Sequence, residues 1–160
     1  MERIWSPWRR AYVGAGAPDP ECVMCRALRT AGEPDSLVVD VGAHTFTVMN
    51  LYPYNGGHVM IAPRRHIGSL AEASAEELSL LMAEARRMEA ALAAEYKPDG
   101  INLGMNLGKA AGAGVADHIH LHLVPRWVGD TNFMTTVGGT RVIPEDPLEA
   151  RARLQARLRT

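Results

Sequence analysis

The sequence predicts an α+β fold: a mainly antiparallel sheet carrying one long helix, with a second helix at the C-terminus. Three patterns point to it. Short apolar or alternating segments follow one another between residues 36 and 63, separated only by turn formers, so no strand–helix–strand crossover fits there. Residues 74–97 carry the 3.6-residue period of an amphipathic helix. Two more apolar segments, 101–107 and 118–125, then flank a glycine-rich loop. At 160 residues the chain reads as one domain, with an arm over 1–20 and a helix over 146–160.

Taken in order, MERIWSPWRRAYV interleaves Trp5, Trp8 and Tyr12 with Arg3, Arg9 and Arg10. That is the composition of an arm packing on its own domain or on a partner subunit. GAGAPDP is a hinge. Cys22-Val23-Met24-Cys25 runs into a short helical stretch ending near Leu28. Residues 36–40 and 44–50 read as strands turning at Gly42, with Phe46 and Val48 on one face. LYPYNGG (51–57) is a loop, and 58–63 is an apolar strand ended by Pro63. Ser74 and Glu77 form a capping box. Behind it Leu78, Leu81, Met82, Ala85, Met88 and Leu92 share the core-facing side of the long helix, which Lys97-Pro98 stops. Residues 101–107 are a strand. The tail over 147–159 is an arginine-rich amphipathic helix with Leu148, Leu154 and Leu158.

Composition narrows the function. Apolar residues are 47%, charged residues 22%, and the net charge is -1. Such a balance suits a globular protein and argues against a nucleic-acid polymer or an anionic membrane as partner. A small anionic ligand needs only local donors and stays open. No apolar run approaches the roughly 20 residues of a membrane span, and no signal-peptide core is visible. The expected compartment is cytoplasmic.

The chemistry concentrates in His118-Ile119-His120-Leu121-His122, which holds three of the six histidines. On a strand these imidazoles share one face, while Ile119, Leu121 and Leu123 face a core. Imidazole, with a pKa of about 6.5, can serve as nucleophile, acid, base or metal ligand near neutrality. His120, in the middle, is the natural nucleophile, with a flanking histidine orienting it or protonating a leaving group. Imidazole readily takes up a phosphoryl or nucleotidyl group. Just ahead lie Gly108, Lys109, Gly112 and Gly114, a loop whose backbone N–H groups can approach an anion. Cys22 and Cys25 have zinc-knuckle spacing and need two more ligands, for which His66 and His118 are candidates. Two reduced thiols without metal remain the alternative. His44 reads as a surface or satisfied histidine.

The run His118-Ile-His120-Leu-His122-Leu-Val matches the signature of the histidine-triad family, which this chain therefore resembles. Asn50 stands eight residues before His58, and a strand ending in Pro63 follows. The sequence GINLGMNLGKAAGAGVADHIHLHLVPRW resembles the branch that splits dinucleoside polyphosphates. Trp-Ser-Pro-Trp-Arg near the N-terminus and Gly129-Asp130-Thr131-Asn132-Phe133 resemble its phosphorylase-like members. The resemblance implies a five-stranded antiparallel sheet, a homodimer whose sheets join, and a covalent nucleotidyl intermediate on His120. His122, His118 and His58 would orient it and assist the leaving group. Asn50 would bind ribose hydroxyls, and Asn106, Gly112 and Gly114 the phosphates. Arg126 and Trp127 would line the nucleotide pocket. Family members with Cys-x-x-Cys and Pro-x-x-His use such a Cys₂His₂ set for structural zinc, here Cys22, Cys25, His66 and His118. Gly114 departs from the Gln or Ser of hydrolase-type members, which leaves water or phosphate open as the acceptor; the branch resemblance favours phosphorolysis. Two other readings stay open: a nucleoside phosphoramidate or aminoacyl-adenylate hydrolase, and a low-turnover purine-nucleotide sensor.

Overall fold

The computed structural model describes residues 21–131 and 145–159. The aromatic arm and the Asn132–Phe133 part of the phosphorylase-like motif lie outside them. Within them run α1 (Val23–Arg29), β1 (Val38–Val41), β2 (Thr45–Met49), β3 (Val59–Pro63), α2 (Ala75–Tyr96), β4 (Gly100–Met105), β5 (Leu121–Arg126) and α3 (Pro147–Leu158). The sheet order is β1-β2-β3-β5-β4, and each neighbouring pair is antiparallel. This is the expected five-stranded α+β architecture.

Local chemistry sets the boundaries. At the start of α2 both capping-box bonds form: the Ser74 hydroxyl accepts from Glu77 N–H, and the Glu77 carboxylate accepts from Ser74 N–H. Lys97 ends the helix in the left-handed region, at φ 47°, ahead of Pro98. Asp146 caps α3 by accepting from the N–H groups of Leu148 and Glu149, with Pro147 in the first turn, where its missing N–H costs nothing.

Alternation along the strands divides the sheet into two buried faces. Val39, Met49, Val59, Ile61, Leu121 and Leu123 pack with Leu81, Met88 and Leu92 of α2 and Leu154 of α3. Val38, Phe46, Val48 and Ala62 pack on the other face with Met24 of α1. One expected core residue is displaced: Met82 is 52% exposed. It lies about 100° around the helix from Leu81, and Ala91, on the opposite flank, is buried instead.

The histidine run also differs from a continuous strand. β5 begins only at Leu121, where its pairing on both sides starts: Leu121 pairs with Ile61 of β3 and with Met105, the last residue of β4. Upstream, Ile119 N–H donates instead to the carbonyl of Ile67 at 2.8 Å. Freed from the ladder, His118 adopts its own environment. Its side chain, like those of His120 and His122, is at most 9% exposed.

Candidate active site and metal cluster

His122 lies mid-sheet, opposite Met60 of β3 and Gly104 of β4. Its Nδ1 is 2.9 Å from His58 Nε2. The His58 ring takes a bond at its other nitrogen, since Tyr54 N–H donates to His58 Nδ1 at 3.0 Å. The Asn50 amide is 3.3 Å from the same atom. A backbone N–H can only donate, so Nδ1 of His58 accepts and its proton sits on Nε2. His58 therefore donates to His122 Nδ1, and neutral His122 carries its proton on Nε2.

His120 has the complementary tautomer. Its Nδ1 lies 2.8 Å from the carbonyl oxygen of His118, which can only accept. The proton is thus on Nδ1 and the lone pair on Nε2. The rings of His120 and His122 meet edge to face, with centroids 4.8 Å apart. Burial is the main cause of a lowered His120 pKa, partly opposed by the His118 carbonyl, so the neutral ring is favoured.

Gly57 positions His58. It adopts φ +72°, and a Cβ there would sit 2.8 Å from Tyr96 Cε2, so both backbone and space require glycine. Its N–H donates to Glu145 Oε1 at 2.6 Å. Tyr96 and Arg153 donate to the same carboxylate at 3.0 and 2.5 Å.

His118 faces a second cluster. Its Nε2–H donates to the Pro63 carbonyl at 2.8 Å, leaving Nδ1 as a lone-pair atom. That atom lies 3.5 Å from Cys22 Sγ and 3.7 Å from Cys25 Sγ. His66 Nδ1 is 3.4 Å from Cys25 Sγ. All four donor atoms fall within 4.8 Å of one another. A tetrahedral zinc ion with bonds of about 2.3 Å to sulfur and about 2.0–2.1 Å to nitrogen sets each S···N edge at about 3.6 Å. The three S···N edges at 3.4, 3.5 and 3.7 Å match, and the Pro63 carbonyl fixes the ligating tautomer as metal-bound histidines require. Burial, then Cys22, raises the Cys25 thiol pKa; a bound cation would reverse that. His118 thus reaches His120 through its carbonyl.

Arg126 and Asn106 line a cavity of about 300 Å³ that opens beside His122. Trp127 is not among its walls and packs edge-on to Tyr96 at 6.5 Å. Gly112 is left-handed, at φ +90°, and with Gly114 it lies in the loop ahead of the histidines, away from the cavity walls. His44 is exposed. Three participants had only turn-like or charged sequence signals, Tyr54 and Asn55 in LYPYNGG and Glu145, while Asp130 stood only within the Gly129–Phe133 motif. The first pair stands between Asn50 and His58, a position that could have marked them.

A family profile described as HIT domain matches residues 31–128. The chain belongs to the HIT family. Among HIT relatives, an AP-4-A phosphorylase of Mycobacterium tuberculosis (strain ATCC 25618 / H37Rv) is 39% identical over 153 residues, covering 91% of this chain and 78% of the relative. A bis(5'-adenosyl)-triphosphatase of Dictyostelium discoideum is 33% identical over 82 residues, 51% of this chain and 54% of that one. The crystal structure of a Zn-bound histidine triad family protein from Mycobacterium smegmatis superposes with a TM-score of 0.69 at 26% identity, over 87% of this chain and 94% of that one.

Proposed function

We infer that this HIT protein is an enzyme that cleaves dinucleoside polyphosphates, passing a nucleotidyl group through His120 to inorganic phosphate. One observation carries the reading: adjacent imidazoles held in complementary tautomers, with a lone pair on His120 Nε2 and a proton on His122 Nε2. The identity with an AP-4-A phosphorylase supports the substrate class.

In the first step His120 Nε2 attacks the α-phosphorus of diadenosine tetraphosphate. The P–N bond forms as the P–O bond to the departing chain breaks. ATP leaves with the electron pair, assisted by the His122 proton. In the second step an oxygen of inorganic phosphate attacks, the P–N bond breaks, and ADP is released with the lone pair back on His120. His122 recovers its proton from the incoming phosphate. His58 holds His122 in register. Asn50 serves the ribose hydroxyls, and Asn106 with the Gly112–Gly114 loop the phosphates.

Cys22, Cys25, His66 and His118 hold a structural zinc ion in this reading. Four protein ligands leave no open position, so the ion anchors α1 to the start of the histidine run and supplies no reacting group. His118 then serves His120 only by its carbonyl. The chain acts as one HIT unit and as a homodimer. The exposed edge of β4, where Leu103 is 49% accessible, supports a sheet that continues into a second copy. Among the described residues no helix is long and apolar enough to cross a membrane. Two thiolates on a metal suit the reducing cytoplasm.

The test is a quench during turnover of a slow substrate analogue, followed by peptide mapping. The nucleotidyl adduct is expected on His120, and His120→Ala should fold and lose turnover. An adduct on another residue would remove the mechanism.

A further inference from the structure

The cavity beside His122 has a wall that the transfer step does not use. Gly104 stands opposite His122, Asn102 opposite Val124, and Gly100 opposite Arg126. The floor therefore runs along β4 and β5 away from the imidazoles. His122 and Arg126 are four residues apart on one strand, a span of roughly 13 Å. Tyr54 and Asn55 close the side. Asn50, the ribose candidate, is not a wall of this cavity. A volume of about 300 Å³ lies at the lower end for small-molecule sites.

The polar groups decide what fits. Arg126 is paired with a carboxylate and an amide: its Nε and Nη2 donate to Asp130 at 2.6 and 2.8 Å, and its Nη1 donates to Asn102 Oδ1 at 2.8 Å. Asp130 also accepts from the Asn55 amide at 2.7 Å. A polyphosphate lying here would meet a cation already neutralised by a carboxylate. The wall instead offers amides and an aromatic ring. With its oxygen accepting from Arg126, the Asn102 amide keeps its NH₂ group as a donor suited to a ring nitrogen of a purine. Tyr54 supplies a stacking surface. At Gly104 a Cβ would meet nothing within 4 Å, so the strand leaves room for a flat ring against the backbone.

We propose that this cavity is a second nucleoside subsite, which receives the purine nucleoside of the leaving polyphosphate while the phosphate chain crosses His122. Asp130 acts on it through Arg126, which orients the Asn102 amide. The assignment rests on the dinucleoside polyphosphate reading above.

Two variants test it. Gly104→Val puts a branched side chain into the cavity at a strand position that tolerates one, and Asn102→Ala removes the amide. Each is assayed with diadenosine tetraphosphate and with adenosine 5′-phosphoramidate, whose leaving group carries no nucleoside. The ratio of kcat/KM values, tetraphosphate over phosphoramidate, should fall at least about tenfold in each variant. An unchanged ratio, even with both activities reduced, overturns the subsite. Separately, ATP titrated into the wild type should shift the side-chain amide NMR signals of Asn102 and Asn55, and Gly104→Val should abolish the shift. No shift overturns the subsite whatever the activities. Amide shifts without cleavage of the tetraphosphate would leave the nucleoside site standing and defeat the catalytic reading instead.

Discussion

Substituting His58→Phe isolates the tautomer chain from packing. His58 is fully buried, and its ring lies 4.7 Å from Tyr54 and 5.1 Å from His122. Phenylalanine keeps those ring contacts and removes both nitrogens. The loss at Nδ1 strands the Tyr54 N–H, at about 1–3 kcal/mol. For a chain of this length that lowers Tm by about 2–12 °C. The loss at Nε2 frees His122 from its donor. A net hydrogen bond of about 0.5–1.5 kcal/mol, all of it biasing His122 towards the Nε2–H form, corresponds to a kcat about 2–12-fold lower. KM should stay within about twofold of wild type, since His58 is not a cavity wall. Removing the proton donor itself, in His122→Ala, should cost on the order of 10²–10⁴ in kcat. Steady-state kinetics with saturating phosphate and a thermal melt read both effects. A lowered Tm with unchanged kcat would mean that His58 only fills space. A loss beyond about 10³ would mean that His58 touches the reacting atoms, and the inferred chain would be wrong.

Further outcomes follow from the same geometry. Purified protein should contain one zinc per chain, and Cys25→Ser should lose it and melt at lower temperature, read by metal analysis and calorimetry. An apparent zinc affinity of about 10–16 kcal/mol in small folds makes this the largest single stability change expected. Leu154→Ala, at a site with no exposure, should cost about 2–5 kcal/mol in denaturant unfolding, with α3 loosened first. Glu77 is held near a pKa of about 2, chiefly by Arg65 and then by the Ser74 backbone N–H. Because its folded pKa is depressed, its contribution is complete above the unfolded value of about 4.3 and is lost as pH falls towards 2. NMR titration of Glu77 should show a midpoint near 2 that moves up in Arg65→Ala.

The sequence carried the fold wherever a residue's chemistry acts locally. Ser74 and Glu77 announce the start of α2, Pro63 ends β3, and strand alternation separates Phe46 and Val48 from Thr47 and Met49. Met82 was misplaced because a helical stripe fixes a direction, whereas the width of the buried arc depends on what packs against it. The candidate site was legible where residues cluster in the chain, as at 118–122. Alternation suggested three equivalent imidazoles. Their inequality comes from partners distant in sequence: Pro63 and the cysteines for His118, and Tyr54 with His58 for His122. Glu145 gave no signal, because its carboxylate reaches across the fold to Gly57, and Asp130 stood only within the Gly129–Phe133 motif, with nothing to mark it as the partner of Arg126 and Asn55. Ordinary surface acids have the same appearance in a sequence.

The most direct test of the account is the cleavage of diadenosine tetraphosphate with and without inorganic phosphate, with products separated by chromatography. With phosphate, ADP and ATP should appear in equal amounts. Without it, turnover should stop after at most one ATP per site, with AMP retained on His120. Sustained release of AMP and ATP at a rate independent of phosphate would contradict the phosphate acceptor, and absence of cleavage under both conditions would contradict the enzyme reading itself.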